Sequence, residues 1–283
     1  MRCLALLGVV AALLAPVAFG RTAPLHPMGA ADVGFTVLWN RERSRLPVNP
    51  LLAGAGQTVD LAVDDAGVAA FSLDAGAGTV RRLGPRSWRW TAPRRPGAYT
   101  LEIRRSDGAS TRFTALVTIP RQAVRRGVLN GYLIGNYPTH PRGDALYRPP
   151  EGFIEVDSRT AELPLTPHLT LGQFVCKQDA GGRRYVALRE RLPLALEAAL
   201  DRFARAGIAG GRLTVMSGYR TPHYNRQLGD TRFSRHQFGD AADVFIDRNG
   251  DERMDDLNGD GRQDVEDARL LLGIIDAAQG EAD

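Results

Sequence analysis

Lysine is almost absent from this chain: Lys177 is the only one, so 35 of the 36 basic side chains are arginine. Cysteine is as scarce. Cys3 lies within the first twenty residues, and Cys176 is the only other. A lone cysteine excludes an internal disulfide and a cysteine zinc cluster, and leaves Cys176 to act as a small buried hydrophobe. Beyond residue 20 no apolar run is long enough to span a bilayer, which excludes an integral membrane protein. No Gly-x-Ser-x-Gly occurs anywhere, so the sharp turn that presents a hydrolase serine is missing. The arginines come without any nucleic-acid-binding motif, and no nucleic-acid partner is expected.

Among what is present, residues 1–20 (MRCLALLGVVAALLAPVAFG) come first. One charge at Arg2, an apolar run and small residues at Ala18 and Gly20 make the layout of a secretory signal peptide. The protein is therefore expected to be exported, to the periplasm or cell wall. The net charge of +4 conceals an asymmetry: residues 240–283 hold 14 of the 32 acidic residues and four of the 36 basic ones. The rest of the chain forms a basic, solvated surface.

The 283 residues suffice for two domains. Residues 30–120 read as all-β, with segments at 33–39, 58–63, 68–73, 87–92, 98–105 and 112–119 separated by Gly, Pro and Asp. Their spacing predicts an immunoglobulin-like sandwich, with Trp88 and Trp90 as core anchors rather than a glycan-stacking pair. Residues 121–167 are rich in Pro, Gly and Arg and read as an irregular connector in which His140, like His168 just beyond, is a loop histidine. From 168 to 283 the pattern is α+β. A helix is expected over 192–207, with Leu192, Leu196, Leu200 and Phe203 on one face, Pro193 near its start and Gly207 at its end. Strands follow at 212–217 and 240–246, and a helix at 265–278.

The chemistry concentrates in residues 217–247, SGYRTPHYNRQLGDTRFSRHQFGDAADVFID. Ser234, His236, Gly239, Ala241 and Asp243 fall in the order Ser-x-His-x-x-Gly-x-Ala-x-Asp. A histidine and an aspartate seven residues apart converge if glycine and small residues permit a tight turn between them. One imidazole nitrogen and one carboxylate oxygen form half of a usual zinc shell. On those two residues alone, surface polarity is the simpler reading.

Together with FVCKQDAGGRRYVALRERLPLALEAAL and VMSGYRTPHYN upstream, the segment resembles the zinc D-Ala-D-Ala carboxypeptidase/hedgehog-type peptidase family over about 80 residues. The resemblance implies that His236 and Asp243 are zinc ligands and that Ser234 is a hydrogen-bond donor near the metal. It implies that Arg220 points into the cleft, to bind a substrate carboxylate or a developing oxyanion, as suits a permanently charged fork. It further implies a zinc metallopeptidase that hydrolyses peptide bonds in peptidoglycan stem peptides. One departure is specific: the family completes its shell with a later histidine beside an acidic base, and no histidine follows Asp243 here. Two ligands fall short of the usual three, so the missing ligand and base are expected beyond residue 283, with His223 the alternative within the chain. The rival expectation is a noncatalytic wall-binding protein that has kept the fold and lost the site.

A second metal signal lies in DLNGDGRQDVED, residues 256–267. Asp256, Asn258, Asp260, Asp264 and Asp267 stand at positions 1, 3, 5, 9 and 12 of a calcium loop, with Gly261 at position 6. Asp247, Asn249, Asp251 and Asp255 repeat the early spacing just before it. Ca2+ is therefore expected as a structural ion beside catalytic Zn2+.

Overall fold

The computed structural model describes residues 11–12, 32–140, 142–179, 181–208 and 212–277. The expected signal peptide lies outside these, apart from Ala11–Ala12, which pairs with the strand Asp243–Asp247 opposite Val244 and Asp243.

Two sheets make the N-terminal part. One runs in the order Glu42–Ser44, Thr36–Trp39, Thr58–Asp64, Ser87–Thr91, Thr79–Gly84, all antiparallel. The other joins Phe71–Ala75, Gly97–Arg105 and Ser110–Pro120 antiparallel, with Val48–Gly54 beside Ser110–Pro120 in parallel. Alternation decides which face is dry. In Thr58–Asp64 only Val59, Leu61 and Val63 are buried, because successive side chains of a strand point to opposite faces. They join Trp88, Trp90, Ile103 and Phe113 in one cluster fed by both sheets. Trp90 is fully buried, and its indole N–H donates to the Ala77 carbonyl at 2.9 Å. Trp90→Ala is expected to lower stability by about 3–5 kcal/mol, seen as an earlier urea midpoint. A midpoint within error of the wild type would contradict this core.

Three strands of these sheets were not expected: Glu42–Ser44, Val48–Gly54 and Thr79–Gly84. Val48–Gly54 carries Pro50, which reads as a strand breaker, yet it forms one margin of its sheet, where a missing N–H is tolerated. Thr79–Gly84 lies at a sheet edge with nearly every side chain exposed, so it shows no alternation to read.

Ser110–Pro120 threads from the first core into the second. Ala115 and Val117 face the first cluster while Leu116 between them enters the other. Its end pairs with Gly152–Val156, which pairs in turn with Arg184–Val186. Residues 121–167 are therefore more than a connector: Leu129, Tyr132, Ile134, Phe153, Ile154 and Leu165 are core residues of the second cluster. Cys176 is fully buried there, as a small hydrophobe.

Helix α1, Arg191–Arg205, lies between the two cores. Leu192, Leu196 and Phe203 pack into the second cluster, whereas Leu194 enters the first. At its N-terminal end Glu190 accepts hydrogen bonds on one oxygen from Leu52 N (2.6 Å), Asn40 Nδ2 (3.0 Å) and Trp39 Nε1 (3.2 Å). Burial pushes this carboxyl up to about 8 from its ordinary 4.5; the three donors oppose the rise and the neighbouring Glu42 adds to it. The folded chain thus holds a proton that the unfolded chain has lost. The stability Glu190 contributes is present below pH 4.5 and falls by about 1.4 kcal/mol per unit as pH rises towards 8. Glu190→Gln is expected to flatten that part of the urea stability profile; an unchanged slope would contradict it.

Past α1, Arg212–Ser217 pairs antiparallel with Asp243–Asp247. Between them lie the short helix α2, Pro222–Gln227, and a 3₁₀ turn, Arg235–Phe238. Helix α3, Val265–Ala277, buries Ala268 and Leu271, and Leu271 joins the second core. No helix among the described residues is long and apolar enough to cross a membrane.

Candidate metal centre

Two glycines set the site. Gly218, just after the strand Arg212–Ser217, has no room for a side chain: a Cβ there would lie 2.6 Å from Phe174 Cα. That approach lets Tyr219 N donate to the Phe174 carbonyl at 2.9 Å. Gly239 ends the 3₁₀ turn in the left-handed region, φ +73°, and a Cβ there would lie 2.5 Å from the Ala187 oxygen. The turn therefore closes tightly enough for His236 to meet Asp243 on the next strand.

His236 and Asp243 are buried, 6% and 4% exposed. His236 Nδ1 lies 2.7 Å from the Gly218 carbonyl oxygen, which can only accept, so Nδ1 carries a proton. Nε2 then faces Asp243 Oδ1 at 3.1 Å. In a neutral ring both of these atoms are acceptors, and they repel unless a proton or a cation lies between them. In zinc sites a ligating histidine is usually fixed by a carbonyl or carboxylate on its other nitrogen, and imidazole nitrogen with carboxylate oxygen is a usual zinc donor pair. The residues present fit a cation.

Arg220 does not stand open in a cleft. Its Nη2 donates to Asp243 Oδ2 at 2.6 Å, its Nη1 to Asp230 Oδ2 at 2.7 Å and its Nε to Ser217 Oγ at 2.9 Å. Its side chain is 15% exposed. Burial raises the Asp230 carboxyl, but the Thr231 amide, the Ser234 hydroxyl and Arg220 outweigh it and hold the group below its ordinary range. Ser234 thus acts on Asp230, which acts on Arg220, which holds the second oxygen of Asp243. Asp230 was missed in the sequence; its only signal is Gly229-Asp230 after the α2 pattern.

The other described histidines stay apart from this pair. His140 stacks on Tyr147 at 4.3 Å and meets Phe233, and His168 Nδ1 pairs with the buried Glu197 at 2.6 Å. His223 sits in α2, its amide bonded to the Ile134 carbonyl. Among the described residues no group of three or more His, Cys, Asp or Glu is placed to hold a metal ion.

Residues 167–258 match the Peptidase M15 family. No curated protein matches the chain. The M15 segment takes in Arg220, Asp230, His236 and Asp243. It begins one residue before His168 and ends at Asn258, within the acidic turns.

In those turns, where a calcium loop is expected, no group of three or more carboxylates among the described residues is placed to hold an ion. Asp256 spends its two oxygens on the amides of Gly259 (2.6 Å) and Gly261 (2.7 Å). Asp267 accepts from Leu257, Asn258 and Asp264, and Asp260 from Arg262. Asn258 closes its own turn on the Asp260 amide, and Asp264 caps Glu266. Asp247 does in the preceding turn what Asp256 does in this one, accepting from Gly250 and Glu252. The carboxylates cap backbone amides instead of converging on one point.

Proposed function

We propose that this protein is an exported zinc metallopeptidase that cleaves peptide bonds in the stem peptides of peptidoglycan. One observation carries the reading: within an M15 segment, a buried histidine with its Nδ1 proton fixed turns its free nitrogen onto a buried aspartate oxygen 3.1 Å away. His236 and Asp243 are the residues that would hold zinc. Bound there, zinc would polarise a scissile carbonyl and acidify a water. The chain's own groups prepare that site. The Gly218 carbonyl keeps the Nδ1 proton in place and so leaves Nε2 free to ligate. Arg220 holds Asp243 by one oxygen and frees the other to face His236.

The N-terminal sheets would form an immunoglobulin-like sandwich that serves as a spacer or docking element, rigidly joined through Glu190 and Leu194. Export would remove residues 1–20, and with them the Ala11–Ala12 pairing, baring the edge of Asp243–Asp247.

A second reading, a noncatalytic wall-binding protein, is favoured by one observation: the described residues supply two zinc ligands and no third. Digestion separates the two. Purified peptidoglycan incubated with the protein and zinc should release peptide fragments, read by mass spectrometry, and a chelator should stop the release. Binding to peptidoglycan with no fragments released would select the binder. Release unaffected by the chelator would sink the zinc reading.

A further inference from the structure

Among the described residues Arg220 is the one arginine paired with Asp243, and in the peptidase reading, on which this inference rests, it is the group that would meet a substrate carboxylate. Its terminal nitrogens already hold two internal carboxylates. Asp243 takes Nη2 at 2.6 Å from inside, and Asp230 takes Nη1 at 2.7 Å from the outer side. The Asp230 side chain is 29% exposed against 6% for Asp243, so Asp230 is the more solvent-facing of the two carboxylates on Arg220. It is also held there: its other oxygen accepts from Thr231 N at 2.6 Å, and the Ser234 hydroxyl bonds it as well. A cation bound at Asp243 would compensate that carboxylate but leave Asp230 against Arg220. An incoming carboxylate would meet a guanidinium without a free two-pronged edge, and a fixed negative charge beside it.

We propose that Asp230 is a specificity-determining residue that occupies Arg220 in place of a substrate carboxylate, so the site selects peptides that are uncharged at this point. The substrate class is then an internal peptide bond, with the chain continuing as an amide or cross-link beyond the scissile residue, and not a terminal residue with a free carboxylate.

The test is equilibrium binding of N-acetyl-D-Ala-D-Ala and of its C-terminal amide to the full chain, with zinc removed so that nothing turns over. The wild type should bind the amide at least about tenfold tighter than the acid. Asp230→Asn should tighten the acid at least about tenfold and change the amide less than about threefold. Asp230→Ala, which leaves no oxygen on Arg220 Nη1, should do so more strongly, and melting curves check that both variants are folded. Equal acid-to-amide ratios in wild type and variants, a wild-type preference for the acid, or no acid binding by folded variants would each overturn the proposal. Failure to digest peptidoglycan with this shift intact would remove the peptidase reading and leave the role of Asp230 standing.

Discussion

His236→Ala and Asp243→Ala are each expected to reduce zinc-dependent release of peptide from peptidoglycan by about a thousandfold or more. Loss of a hydrogen-bonding partner behind a ligand typically costs about 10–100-fold in metal affinity or activity, and loss of the ligand itself costs more. Both side chains are buried, and each is the other's nearest polar neighbour on the side where a cation fits. Removing either leaves a single protein donor, which does not hold zinc at catalytic concentrations. Arg220→Lys is the informative companion. Lysine keeps the charge but loses the fork that reaches Ser217, Asp230 and Asp243 together. A fall smaller than the ligand variants show, with zinc retained, would mark Arg220 as a positioning residue.

Gly218→Ala and Gly239→Ala carry the second large effect, and it is one on stability. At both positions an added Cβ meets backbone, 2.6 Å from Phe174 Cα and 2.5 Å from the Ala187 oxygen, so nothing flexible can move aside. Gly239 also pays for the left-handed conformation at φ +73°. Each substitution is expected to cost about 2–4 kcal/mol, as overpacking of a closed site does. Gly131 is the control: its φ is +88°, but nothing lies within 4 Å of an added Cβ. Gly131→Ala should cost only about 1–2 kcal/mol, the conformational part alone. Urea midpoints of the three variants make the comparison. Equal losses at all three would mean that the close approaches at 218 and 239 do not shape the site.

Legibility in the sequence followed periodicity. Helix α1 was readable because Leu192, Leu196 and Phe203 recur on one helical face, and the structure buries all three. The strand Arg212–Ser217 appears with the expected bounds, a short apolar run between a glycine-closed helix and a glycine. Trp88 and Trp90 turned inward because they share a face with Leu61 and Val59 across the ladder. What could not be read depended on neighbours distant in sequence. Val48–Gly54 is a strand only because Ser110–Pro120 supplies its partner, and Pro50 argued locally against it. The stretch 121–167 looked irregular because its apolar residues are interrupted by Pro and Gly, yet Phe153 and Ile154 enter the core through pairing at both flanks.

The site divides the same way. His236 and Asp243 were legible because the turn that joins them is local, seven residues closed by Gly239. Asp230 as a partner of Arg220 was not, since it reaches back ten residues across helix α2, with no spacing pattern to mark it. The acidic turns show the converse. Calcium-loop spacing at 256–267 predicts oxygen ligands, and the same Asp and Asn residues also favour turns by bonding nearby amides, as they do here.

Zinc stoichiometry and affinity of the purified chain test the central claim most directly, by competition against a chromophoric chelator. The account predicts up to one zinc per chain, held weakly by two protein ligands and lost in His236→Ala and in Asp243→Ala while both variants remain folded. A wild-type chain that takes up no zinc, or one that holds it equally well without His236, would contradict it.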